Sequence, residues 1–221
     1  MPFTTDQFFD VFRRYNEAIW PAQIGLVILG LIAAFAAYRA CQIRSWRLAQ
    51  VAVVLLAPLW LWTGIIYHKT FFAVINPVAE VFGSIFIAQA GLLLLWALGA
   101  GPSFEPVSRA ARVTGLSLIG YALILYPLAG IALGHRYPSA PSFGAPCPMT
   151  IFTFGVFCLL ATSVPRFAMA IPVTWALIGA YGAFGFGVPE DAGLVVSAIA
   201  TMLVIHHENH QAVHSLSSRA F

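Results

Sequence analysis

Apolar runs of roughly bilayer-spanning length, each closed by a short polar break, recur along the chain. A helix needs about 20 predominantly apolar residues to cross roughly 30 Å of hydrocarbon. The runs predict spans over 19–38, 48–67, 77–98, 113–133, 148–164, 168–186 and 192–205. The last is short for a span, so the tail is expected to complete it. Pro58, Pro172 and the Tyr126-Pro127 step interrupt the helical hydrogen-bond ladder inside three of these runs, and Tyr126-Pro127 is read as a kink. Asn76 and Pro77 read as the N-cap and first turn of the third span, with Glu80 near its start.

Ahead of the spans the pattern changes from uniformly apolar to amphipathic. Thr4 and Gln7 form a capping box, and Phe8, Phe9, Val11, Phe12 and Tyr15 give the helix one aromatic face. Asp6, Asp10, Arg13 and Arg14 make the rest polar, so this helix is expected to lie along a bilayer surface, with Trp20 as an interfacial anchor. The fold class is therefore all-α: a polytopic transmembrane bundle of about seven spans with an N-terminal interfacial amphipathic helix. Its parts are the interfacial helix at 1–17, the bundle at 18–207 and a cytoplasmic, His-containing tail at 208–221.

Composition sharpens this picture. The 221 residues are 60 % hydrophobic and 9 % charged, with a mean hydropathy of +0.86, which excludes a soluble globule. The net charge is only +3, and the basic residues are scattered in short loops, which argues against a nucleic-acid partner. Arg39, Arg44, Arg47, Arg109, Arg112, Arg166 and Arg219 fall on one side of the predicted spans, and Arg13, Arg14, Lys69 and Arg136 on the other. By the positive-inside rule the N-terminus is outside and the C-terminus inside, in a multi-pass membrane protein. The N-terminus lacks a basic n-region, so no cleavable signal peptide is expected. Cys41, Cys147 and Cys158 are too few and too scattered for a disulfide framework.

The longest stretch ill suited to hydrocarbon is GHRYPSAPSFGAPCPMTIFTFG at 134–155. Its prolines stiffen it, and Pro148 suits a first helical turn, which places Cys147 at about an N-cap. Unpaired N–H groups and the helix dipole favour thiolate there, with Arg136 in the same loop. The predicted topology brings His68, Glu80, His135, Arg136, Cys147 and Glu17 to the outer face as candidate binding residues. His68, His135 and Cys147, completed by a carboxylate, offer ligands suited to a transition metal such as zinc or copper. In the tail, His206, His210 and His214 recur at i, i+4 on one helix face and form a second candidate metal set. Each group has a plainer explanation: a stiff turn, a wet membrane interface, or a solvated helix end that complements the dipole.

The segments FFDVFRRYNEAIWPAQ, YHKTFFAVINP, GHRYPSAPSFGAPCPMTIFTFG and GVPEDAGL together resemble an uncharacterised bacterial membrane family, domain of unknown function 6064. The resemblance runs to about Asp191 and leaves the histidine-rich tail outside. It implies a bacterial multi-spanning membrane protein and supplies no activity and no catalytic residue.

No motif for nucleophilic catalysis, phosphate binding or haem attachment is present, and no catalytic residue is assigned. The leading reading is a membrane protein that binds or transports a small solute or metal ion through a polar site on its outer face. The alternatives are a membrane-embedded metal- or thiol-dependent enzyme, and a structural or assembly subunit. Gly179, Gly182 and Gly185 in the sixth span provide a surface through which an oligomer could pack.

Overall fold

The computed structural model describes residues 3–99 and 107–217, apart from the side chains of 182–184 and 212–217. Among the described residues the chain is helical and has no named strand. The amphipathic segment forms α1 (Thr5–Ile19) and opens with the expected capping box between Thr4 and Gln7. Arg13 hydrogen-bonds Asp10 and holds its carboxyl below the usual range, while burial pushes the Tyr15 phenol up. The bundle follows as α2 (Ala22–Ile43), α3 (Trp46–Trp62), α4 (Ala79–Leu98), α5 (Arg109–Gly120), α6 (Tyr126–Ala132), α7 (Pro146–Leu159), α8 (Arg166–Phe186) and α9 (Ala192–Ser217).

Two helices continue through wider π turns. After α3, Thr63–Phe71 is a π-helix that tightens into a 3₁₀ turn at Phe72–Val74. Between α5 and α6, Tyr121–Leu125 is a second π stretch, directly before Pro127. The predicted kink is thus a local widening of the helix where proline cannot donate.

Among the described residues five helical segments are long and apolar enough to cross a membrane: Ala22–Ile43, Trp46–Val74, Ala79–Leu98, Arg109–Ala132 and Pro189–Gln211. Pro146–Leu159 and Arg166–Tyr181 are apolar but shorter. The short α7 is the heart of the bundle. Every residue in it except Cys147 is buried, and it packs against α2, α3, α5, α8 and α9. A helix apolar on all sides suits either lipid or a protein interior, and burial by neighbouring helices on every side frees α7 from matching bilayer thickness. Its hydroxyls are satisfied locally: Thr150 donates to the Pro146 carbonyl at 2.7 Å, and Thr153 donates to the Met149 carbonyl at 2.9 Å while accepting from the Trp60 indole at 3.0 Å.

Close helix approach is made at Gly179 of the expected set and at glycines outside it. A Cβ on Gly155 of α7 would lie 2.8 Å from the Gly115 carbonyl of α5, and one on Gly64 would lie 2.8 Å from the Gly83 carbonyl of α4. In the predicted set, Gly179 faces Leu194 and Cys147 inside the same chain, so it serves internal packing, and the side-chain surroundings of 182 lie outside the description.

α4 begins at Ala79, two residues later than Pro77, with the Asn76 side chain still accepting from the Val78 N–H at 3.2 Å. α9 runs on to Ser217, so the marginal last span is completed by the tail. Two intramembrane amides act as interhelical ties: Gln89 donates to the Ala168 carbonyl at 2.8 Å, and Gln23 donates to the Asn16 carbonyl at 3.1 Å.

Candidate functional site

One end of the bundle gathers α1, the π stretch after α3, the central loop and the turn into α9. Asn16, fully buried on α1, is the joint. Its amide donates to the carbonyls of Pro138 at 2.6 Å and Ala140 at 2.8 Å, and its oxygen accepts from the Ser142 hydroxyl at 2.6 Å. Thr63, on the π stretch, donates to the Gly144 carbonyl at 3.0 Å, which fixes the far side of the loop. Gly144 needs its positive φ of 104°, and a Cβ there would meet Leu26 at 2.6 Å.

Under this roof lies a cavity of about 310 Å³ bordered by α1, the π stretch, α4, α8 and the start of α7. Its walls are mainly aromatic. Phe8 stacks on Phe186 at 4.5 Å between ring centroids, and Phe72 meets Phe8 edge-on at 6.0 Å. His68 borders the cavity with none of its surface exposed, and neither ring nitrogen has a hydrogen-bond partner. Its ring is packed by Phe86 at 4.7 Å and Trp175 at 5.1 Å. The Trp175 Nε1–H likewise has no nitrogen or oxygen partner and interacts with the Cys147 sulfur, a weak acceptor. Buried polar groups without partners are uncommon and costly in native proteins. His68 sits on the π-helix Thr63–Phe71, and π segments are frequent at functional sites.

Cys147, Asp191, Asn76 and Tyr67 also contribute to the polar part of the wall. The Asp191 carboxyl accepts from the Tyr126 hydroxyl and interacts with the Cys147 thiol. Behind this wall, His135 Nδ1 is 2.8 Å from Glu190 Oε1, and both border a second cavity of about 100 Å³. The Tyr121 hydroxyl donates to the Glu190 carbonyl at 2.8 Å, which pins the turn. The neighbouring carboxyl residues Asp191 and Glu190 therefore separate the two cavities.

The cavity also reaches the flank of the bundle. Val78, Ile178 and Tyr181 border it and are 53 %, 37 % and 73 % exposed. They lie ahead of α4 and on α8, so the cavity meets the surface of the bundle between these two helices.

The candidate residues read from the sequence divide. His68 and Cys147 share the cavity, and His135 lies behind it with Glu190. Glu80 pairs with Lys69 at 3.1 Å and does not meet His68, although the connector does make their helices neighbours. The reason is azimuth: His68 faces the interior and Lys69 the flank. Glu17 pairs with Arg13 at 3.0 Å, and Arg136 is exposed. Among the described residues no group of three or more His, Cys, Asp or Glu side chains is placed to hold a metal ion. This corrects the set His68, His135 and Cys147, which the Asp191–Glu190 wall divides. In the tail His206 and His210 meet edge-on at 4.5 Å between ring centroids, and the His214 side chain lies outside the description.

Cys147 also differs from its expected setting. The N-cap of α7 is Ala145, Cys147 is the second helical residue, and its charged neighbour is Asp191, not Arg136. Cys41 donates to the Leu159 carbonyl at 2.6 Å and Cys158 lies 3.4 Å from the Thr201 hydroxyl, both fully inside the bundle. As whole residues, Cys147 is half-buried and Cys41 and Cys158 are buried. Trp175 was not legible as a site residue. Its one sequence signal is Gly179 four residues later on the same helix face, which leaves room beside the Cys147 sulfur.

A first prediction follows for Glu80. Because its ion pair with Lys69 is solvent-exposed, Glu80→Gln should change stability by no more than about 0.5 kcal/mol in detergent unfolding. A loss of several kcal/mol would return Glu80 to the site.

The sequence model of a family of unknown function (DUF6064) matches residues 5–215. The match covers α1, the cavity and the histidines of α9, so it extends past Asp191. No curated protein and no solved structure matches the chain.

Proposed function

We propose, starting from the fact that this chain belongs to the DUF6064 family, that it is an integral membrane protein that binds a small, mainly apolar molecule in the cavity beside His68. One observation carries the reading: a fully buried imidazole with two unpartnered nitrogens borders an aromatic cavity. Ligand cavities typically combine apolar walls with a few convergent polar groups and begin near 300 Å³. Long apolar helices support the membrane setting, and the distribution of Lys and Arg supports an inner-membrane orientation with the cavity toward the outside. A thiol-dependent enzyme is the second reading, because Cys147 borders the same cavity as His68.

Cys147 makes the binding reading testable, since it lies on the cavity wall, whereas Cys41 and Cys158 are buried elsewhere in the bundle. In lipid nanodiscs, 2,3-dimethylnaphthalene should slow alkylation of Cys147 by N-ethylmaleimide severalfold, followed by mass spectrometry of the intact chain. The charged analogue naphthalene-1-sulfonate should not. An alkylation rate that stays constant up to the solubility limit of the neutral probe would remove the cavity as a binding site.

A further inference from the structure

We infer that the occupant of this cavity is an uncharged ring compound bearing carbonyl oxygens, dissolved in the bilayer and admitted between α4 and α8. The inference rests on the binding reading above and names the ligand class. The walls favour a flat ring. Phe8, Phe12, Phe72, Phe82 and Phe186 border the cavity together with Trp175, and aromatic faces and edges pair best with another ring.

The polar groups specify what the ring carries. Trp175 offers an N–H that can only donate, and His68, 5.1 Å away between centroids, offers a second N–H from whichever ring nitrogen holds the proton. Two neighbouring donors, one without a partner and one facing the weak sulfur acceptor of Cys147, call for a stronger acceptor, and a carbonyl oxygen has two lone pairs. A cation would leave both donors unmet, and Asp191, the carboxyl in the wall, is already engaged by Tyr126 and Cys147. An anion would face Asp191 with no Lys or Arg among the residues described as bordering the cavity. A neutral acceptor meets all three conditions.

The side opening decides the source. Val78, Ile178 and Tyr181 belong at once to the cavity and to the exposed flank of the bundle. A compound already dissolved among lipid chains reaches the cavity there without crossing water. A cavity of about 310 Å³ holds a ring, and an attached apolar tail can remain in the opening.

The experiment compares three uncharged probes in nanodiscs, each measured by the concentration that half-protects Cys147 from N-ethylmaleimide. They are 2,3-dimethyl-1,4-naphthoquinone, whose methyl groups block thiol addition at the quinone double bond, 2,3-dimethylnaphthalene, which has the same outline without oxygens, and the quinone with a geranyl tail replacing one methyl. The quinone should protect at about tenfold lower concentration than the hydrocarbon, the gain expected from two modest hydrogen bonds. The geranyl form should protect as well as the untailed quinone. Trp175→Phe, which keeps a ring, and His68→Phe should each reduce the quinone's advantage while leaving protection by the hydrocarbon intact. Equal protection by quinone and hydrocarbon in the unmodified protein would overturn the carbonyl class and leave the apolar cavity standing. Protection by neither would remove both. Protection by the untailed quinone alone would overturn admission from the bilayer, and protection by phenyltrimethylammonium in place of the quinone would make the site a cation cage.

Discussion

Gly155→Ala is expected to destabilise the protein by about 3 kcal/mol, the upper end for inserting one methyl group into a packed core. The added carbon would lie 2.8 Å from the Gly115 carbonyl, 2.7 Å from Ile119 Cγ1 and 3.0 Å from the Ile119 backbone nitrogen. Two of these atoms are backbone, so no side-chain rotation relieves the contact and α5 must move away from α7. Because α7 is buried on every side, that movement disturbs the centre of the bundle. Gly91→Ala is the matched control: a Cβ there meets nothing within 4 Å, and alanine should add about 0.5–1 kcal/mol through helix propensity alone. Unfolding in detergent measures both variants. A neutral Gly155→Ala would mean that α5 and α7 are not in this contact.

Asn16→Ala should cost about 3 kcal/mol and loosen the roof of the cavity. The substitution strips partners from the Pro138 and Ala140 carbonyls and from Ser142, each a polar group on the loop beneath α1. Asn16→Asp should be no milder, because a carboxylate cannot donate to the two carbonyls. Since Phe8 and Phe12 of α1 border the cavity, release of this helix should also speed alkylation of Cys147. Unfolding in detergent and alkylation kinetics are read on the same samples. A cost below about 1 kcal/mol with an unchanged alkylation rate would show that α1 is held by its aromatic contacts and not by Asn16.

The two effects come from parts of the chain that differ in how far sequence reveals them. The apolar runs determined the helices, Thr4 with Gln7 determined the start of α1, and the Tyr126-Pro127 step determined the break between α5 and α6. These are local properties. Run length, a capping pair three residues apart and a missing N–H act within a turn or two of helix, so the one-dimensional order of residues contains them. The short connector after His68 likewise made α3 and α4 neighbours.

Which side chains meet was decided only by tertiary structure. His68 and Lys69 are adjacent on the π stretch, yet one borders an aromatic cavity and the other pairs with Glu80 on the flank. Cys147 and Asp191 come together because α7 starts beside the turn into α9. His135 is kept from the cavity by its pairing with Glu190. In each case the deciding quantity is the rotation of a helix about its own axis. A uniformly apolar span leaves that rotation open, because every face is equally compatible with lipid, and only the packing of glycines, alanines and aromatic rings against neighbouring helices fixes it.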